Sequence, residues 1–213
     1  MSGPPPSTVE LEFARHHEQE HAQVCSRPAP RRLRLAFWRD EQMVRNALKV
    51  AGEPGLVLDV ACGAGRFWPV LAEHANRVIL EADPSPDMLE HALTHHGGAL
   101  LKRVKTFPSS AFTIGLSENA VDCICCLQLF RHVSASAHRL ALLREFRRVS
   151  RDTVIVSVQI DGRFKLGHPP QRNLADKADV EAEFLQAGFN VLWYQDFLPG
   201  FALTRVYVLR KTS

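Results

Sequence analysis

Hydrophobic and polar positions along the chain sort into two alternating kinds of segment. Apolar runs at 56–61 (LVLDVA), 77–82 (RVILEA), 121–127 and 153–160 (TVIVSVQI) predict short strands covered on both faces, and 101–107 reads as a weaker third strand. Between them, apolar residues recur every three or four positions, which predicts helices over 67–74, 86–95, 137–149 and 176–187. Gly188 stands where the last of these needs a left-handed residue to end it. An earlier helix is predicted over 33–50, with Leu33, Phe37, Trp38, Val44 and Leu48 at near-helical spacing and Gly52 and Pro54 stopping it. Runs at 190–197 and 203–209 lie too close together for a helix between them, so they predict an antiparallel hairpin joined through Leu198-Pro199-Gly200. The alternation builds an α/β fold: a doubly wound, seven-stranded, mostly parallel sheet with helices on both faces and that C-terminal hairpin at its edge. In an open sheet of this kind the ligand lies beyond the carboxyl ends of the strands, at the switch point. Chemistry is therefore sought first after strand one.

Composition adds boundaries to this picture. The 213 residues read as a flexible, proline-punctuated segment over 1–32 followed by a single domain over 33–213. Hydrophobic residues at 46% and charged residues at 23% fit a globular protein, and a net charge of +3 is too small to argue for nucleic acid. The N-terminus lacks the features of a signal peptide, and no run approaches the ~20 apolar residues of a membrane helix. The chain accordingly reads as cytoplasmic, with no membrane span. Five cysteines, three of them in VDCICC, make a poor disulfide framework. An extended strand puts Cys123 and Cys125 on one face and Cys126 on the other, and no second cysteine pair exists, so buried thiols and no metal site are expected.

The first chemical motif is Val57-Leu58-Asp59-Val60-Ala61-Cys62-Gly63-Ala64-Gly65. Gly63 and Gly65 let the backbone turn sharply and let a ligand approach it closely. The turn feeds a helix whose first amides favour electron-rich groups, and Asp59 can accept hydrogen bonds from a cationic amine or from the loop itself. A dinucleotide site wants a third glycine, which is missing where Phe67 and Trp68 stand, so a nicotinamide oxidoreductase is disfavoured. The second motif is Asp83-Pro84-Ser85-Pro86-Asp87-Met88-Leu89. Asp83 ends strand two, 20 residues after Gly63, where an acid can accept both hydroxyls of a ribose. Glu81 is the rival acid, one strand repeat earlier.

In order and at this spacing, D-x-A-C-G-x-G and D-x-S-x-x-M-L resemble the first two motifs of the class I S-adenosylmethionine-dependent methyltransferases, which have a Rossmann-like fold. The resemblance covers about residues 33–160. It implies S-adenosylmethionine as cofactor, with Asp59, Ala61, Cys62, Gly63 and Gly65 around its methionine part. It implies Asp83 on the ribose and Pro84 and Met88 as apolar walls for adenine. Ser110, Ala111 and Phe112 match the stretch that meets the adenine amine, with Ser110 where relatives carry an acid. Leu127 and Gln128 match positions near the sulfonium. His132 matches a histidine that in some relatives faces the acceptor, which makes it the candidate catalytic base. The family's loop for methylating base or glutamine amines is absent from Cys126-Leu127-Gln128-Leu129, which disfavours that chemistry.

The acceptor is less legible. Residues 1–50 and 161–174 are the segments that set specificity in relatives, and both are basic: Arg31, Arg32, Arg34 and Arg39 in one, Arg163, Lys165 and Arg172 in the other. A small, anionic acceptor is one reading and a solvated basic face is the other. Residues 1–32 are either a lid over the cofactor or a tail. A non-catalytic cofactor-binding protein on the methyltransferase fold is the alternative to an enzyme.

Overall fold

The computed structural model describes residues 31–127, 129–160, 175–198 and 204–212, with side chains from Arg34 onward. Expectations for residues 1–30, for Gln128, for 161–174 and for the turn at Pro199-Gly200 lie outside the described residues.

Seven strands form one sheet: β1 (Leu56–Val60), β2 (Val78–Asp83), β3 (Val104–Pro108), β4 (Val121–Cys126), β5 (Ser150–Gln159), β6 (Phe189–Asp196) and β7 (Thr204–Lys211). Their order is β3-β2-β1-β4-β5-β7-β6. The first five run parallel, and β7 lies antiparallel between β5 and β6. The chain leaves β1 toward β2 on one side and returns to β4 on the other, so the switch point lies between the carboxyl ends of β1 and β4.

Helices cover both faces because the strands are apolar on both. Helix α1 (Arg31–Val50) and the short α2 (Trp68–Leu71) lay Met43, Val44, Ala47, Leu48, Trp68 and Leu71 against Val57, Ile79, Cys123, Cys125 and Ile155. On the other face, α5 (Ser136–Val149) and α6 (Lys177–Gln186) bring Leu142, Phe146, Val180 and Phe184 onto Leu58, Val60, Ile124, Cys126 and Tyr207. The parity expected for the cysteines holds: Cys123 and Cys125 belong to the first core and Cys126 to the second. Between β2 and β3 lie α3 (Pro86–His95) and the one-turn α4 (Gly98–Leu101).

The structure departs from the pattern in three places. The strand expected from 101 begins at Val104, because Gly97 and Gly98 open a helical turn in which the Leu100 and Arg103 amides bond back to Gly97 and Leu100. The helix expected over 67–74 shrinks to Trp68–Leu71. Trp38 sits in α1 as expected but points outward and is 54% exposed. At the amino edge of the sheet, buried Arg77 donates to Pro54 O at 2.8 Å and Leu71 O at 2.9 Å and pairs with Glu53. That knot secures the edge opposite the switch point.

Candidate functional site

The carboxyl end of β1 runs straight into a strained turn. Ala61, Gly63 and Gly65 all have positive φ, at 56°, 56° and 72°. A non-glycine residue held there costs energy that its surroundings must offset, which marks functional turns. The offset is visible: the Ala61 and Cys62 amides both donate to Ala82 O, at 2.8 and 3.4 Å, pinning the turn to β2. Gly65 closes it onto α2. A Cβ there would lie 2.6 Å from the buried indole of Trp68 and 3.0 Å from His96 Nε2, so no side chain fits. His96 completes the packing, with its ring 4.9 Å from Trp68 and its Nε2 3.2 Å from Ala64 O.

Asp83 joins this turn to the next. Its fully buried carboxylate accepts the Gly63 amide at 2.9 Å through Oδ2 and the Ser85 amide at 3.0 Å through Oδ1. Its carbonyl accepts the Ser109 amide at 3.0 Å. One residue thus ties together the turns that follow β1, β2 and β3. Ser85 then caps α3 by accepting the Met88 amide at 3.4 Å, which sets Met88, largely buried, beside the Asp83 turn. In the β3 turn, Ser110 Oγ accepts the Phe112 amide at 3.1 Å. Ala111 is buried and Phe112 half-buried against the second core.

A row of acids lies beneath. Asp59 and Glu81 are Cα partners on adjacent parallel strands and face the same side, with Cys125 paired to Asp59 on β4. Asp59 is 2% exposed and Glu81 is fully buried. Burial pushes the Asp59 carboxyl up to about 8, and the Asp83 charge adds to the rise. Burial, followed by the Asp59 charge, raises Glu81 well above the carboxylate range. The carboxyls lie close enough for a proton to bond them. As two carboxylates neither could donate, and both Glu81 oxygens then lack a hydrogen-bond partner. Burial and the charges of Glu81, Asp59 and Asp83 raise the Cys62 thiol, so Cys62 is no nucleophile.

Beyond β4, Leu127 is buried at the strand's carboxyl end and a 3₁₀ turn, Leu129–His132, carries the candidate base. Arg131 Nε donates to His132 Nε2 at 2.8 Å, so that nitrogen is an acceptor already engaged by a cation. This opposes a general-base role through Nε2. The loop after the turn is held by Arg139, which donates to Val133 O at 3.1 Å and Ser134 O at 2.6 Å and forms a buried pair with Glu183 at 2.6 Å.

Residues 57–153 match a family model described as a methyltransferase domain. Over those residues the chain carries a methyltransferase domain. Its domain is similar in fold to magnesium protoporphyrin IX methyltransferase from Synechocystis PCC 6803, solved with bound SAM, at 15% identity and a TM-score of 0.72, covering 99% of this chain and 100% of that one. It is also similar to a SAM-dependent methyltransferase from Aquifex aeolicus, at 24% identity and a TM-score of 0.58, covering 72% and 81% of the two chains. The PH0226 protein from Pyrococcus horikoshii OT3 gives 18% identity and a TM-score of 0.65, covering 82% and 90%. Comparison with curated protein sequences finds none that matches.

Within this methyltransferase domain, the candidates Asp59, Ala61, Cys62, Gly63, Gly65 and Asp83 come together at the switch point. Pro84, Met88, Ser110, Ala111 and Phe112 flank them through the turns that Asp83 ties. Leu127 and His132 stand on the β4 side. Trp68, His96 and the pairing of Glu81 with Asp59 escaped the motif reading. Strand parity puts each acid on a definite face, but only the register of β1 on β2 brings the two together. Among the described residues, no group of three or more His, Cys, Asp or Glu could hold a metal ion, and no helix is long and apolar enough to cross a membrane. Of the basic residues, Arg34 is exposed on α1, whereas Arg39 is spent on Phe197 O at 3.2 Å.

Proposed function

We propose that this protein transfers a methyl group from S-adenosylmethionine to a small-molecule acceptor that carries an anionic group. The observation that carries the reading is electrostatic. Asp59, Glu81 and Asp83, all buried, gather under and beside the Gly63 turn, with Cys62 among them. A pyrophosphate placed there would meet the Asp83 charge and oppose loss of the Asp59 proton, whereas a ligand bearing an ammonium and a sulfonium would be drawn to the first and favour the second. The residues present therefore fit the cofactor better than they fit a dinucleotide.

S-adenosylmethionine supplies a methyl group already activated on a sulfonium, so the chain's own residues have mainly to bind and orient. Asp59 takes the methionyl ammonium above the Ala61–Gly65 turn. Asp83 takes the ribose while keeping its two backbone amides, since each carboxylate oxygen accepts more than one hydrogen bond. Pro84, Met88 and Phe112 enclose the adenine, with Ser110 and Ala111 at its edge. Leu127 bounds the methyl end. His132, whose Nε2 accepts from Arg131, stands on the β4 side beside that guanidinium, whose positive charge suits an anionic acceptor.

The same Arg131–His132 contact also favours a second reading, a cofactor-binding protein without turnover, since it engages the candidate base at Nε2. Calorimetric titration with S-adenosylhomocysteine, with NAD as control, tests the first step. Micromolar binding that Asp83→Ala abolishes is expected. Folded wild-type protein that ignores S-adenosylhomocysteine would end the methyltransferase reading. Methyl transfer from labelled cofactor to a panel of carboxylated and phosphorylated small molecules then separates the two readings.

A further inference from the structure

The Asp59–Glu81 pair has no need to exist for a glycine turn to form. A fully buried glutamic acid on β2 faces the one acid the site needs as a counter-charge, with its oxygens lacking any carboxylate-state partner. The Trp68 Nε1–H is likewise buried and without a partner in strict geometry, although it lies near enough to Glu81 to favour that group's charged form. The other titratable groups whose charges or hydrogen bonds reach the pair are Asp83 on β2, Cys62 in the turn and Cys125 and Cys126 on β4. No described cation offsets the acids: Arg77 acts on Cys125 from the amino edge, and His96 turns its Nε2 to Ala64 O. Two adjacent buried carboxylates are not tolerated without one, so the pair holds protons.

We infer that Glu81 is a positioning residue of the cofactor site, a permanently protonated donor to Asp59, and that capture of the cofactor's ammonium is coupled to the loss of one proton from Asp59. The balance is simple. Before binding, each carboxyl carries its own proton. When the ammonium arrives, the Asp59 proton leaves to the buffer and its carboxylate faces the cation. Glu81 keeps its proton and donates it to the new carboxylate, so the pair sets one negative charge against the one ammonium. The inference rests on the methyltransferase reading for the identity of the ligand.

Calorimetry with S-adenosylhomocysteine in buffers of different ionisation enthalpy reads the coupling. Wild type should release close to one proton per ligand at neutral pH. Its affinity should rise with pH by up to about tenfold per unit between about pH 5.5 and 7.5, the limit for one linked proton. Glu81→Gln keeps a donor of the same shape and should keep both the affinity, within about threefold, and the proton release. Glu81→Leu removes the donor, and should lose tenfold or more in affinity at pH 7 and move the profile to higher pH. The infrared C=O stretch of a protonated carboxyl in the ligand-free protein at neutral pH should weaken in Glu81→Gln. No proton release by a wild type that binds, or a tenfold loss in Glu81→Gln, overturns the inference, the second because Glu81 would then work as a charge. Absence of any binding defeats the methyltransferase reading and the coupling with it. The infrared signal distinguishes the two failures, because its absence removes the protonated pair whatever the ligand does.

Discussion

At the scale of single residues, the site is built from a few groups that each meet a specific constraint. Gly65 is glycine because the Trp68 indole occupies the space of its side chain, and not only because a ligand passes over it. Asp83 holds two turns by their amides before it holds anything else. Glu81 carries a consequence for stability whose sign is fixed. Its carboxyl is raised in the folded protein, so its contribution is fully present below the ordinary carboxylate value and is lost as pH rises toward the raised one. Replacing it by glutamine removes that loss. The unfolding free energy of Glu81→Gln should equal that of wild type near pH 4 and exceed it increasingly above, by about 1.4 kcal/mol per pH unit at most, with the melting temperature rising in step. A difference that stays constant from pH 4 to 8 in thermal unfolding would show that Glu81 does not titrate upward. The sequence made Asp83 and the two glycines legible, because a strand end followed by a fixed spacing carries them. It offered Glu81 only as a rival acid. That Glu81 faces Asp59 under Trp68 depends on strand register and on which helix covers that face, and neither is local.

At the scale of elements, the apolar runs told strands from helices well, since a strand buried on both faces has little room for polar residues. Boundaries moved where something else decided them. Gly97-Gly98 opened a helical turn in a stretch whose leucines read as strand, and α2 stopped after one turn under the Gly65 corner. The placement of the 3₁₀ turn after β4 was not legible at all, because it depends on a pair 44 residues apart, Arg139 on α5 and Glu183 on α6. That pair is buried and also holds the carbonyls of Val133 and Ser134. Arg139→Ala would leave Glu183 as a buried, uncompensated charge and release the loop that carries His132. The expected loss is about 3–5 kcal/mol in urea unfolding, well above the cost of a surface pair. A loss under about 1 kcal/mol would mean that the pair is solvated and that other contacts hold the loop.

At the scale of the whole molecule, the two edges of the sheet are built differently. The amino edge is closed by Arg77, which ties Pro54, Leu71 and Glu53 together. The carboxyl edge is assembled from turns tied to one another through Asp83 and the Ala82 carbonyl, with acids beneath and a helix start beside them. The strand order gives this asymmetry its place, because the connections leaving β1 and β4 at the carboxyl edge run to opposite sides of the sheet. This much follows from the alternation of strands and helices in the sequence, once the crossovers take their usual right-handed course. Hydrogen exchange with and without S-adenosylhomocysteine reads the asymmetry directly. Amides of 61–65, 83–85 and 109–112 should slow on binding, since the turns at that edge are among the parts of the fold that open most readily. Amides of 53–55 and 77–79 should not change beyond what global stabilisation gives every residue. Protection concentrated at the amino edge instead would place the ligand away from the switch point, and the acids under Gly63 would then have to be explained as structure alone.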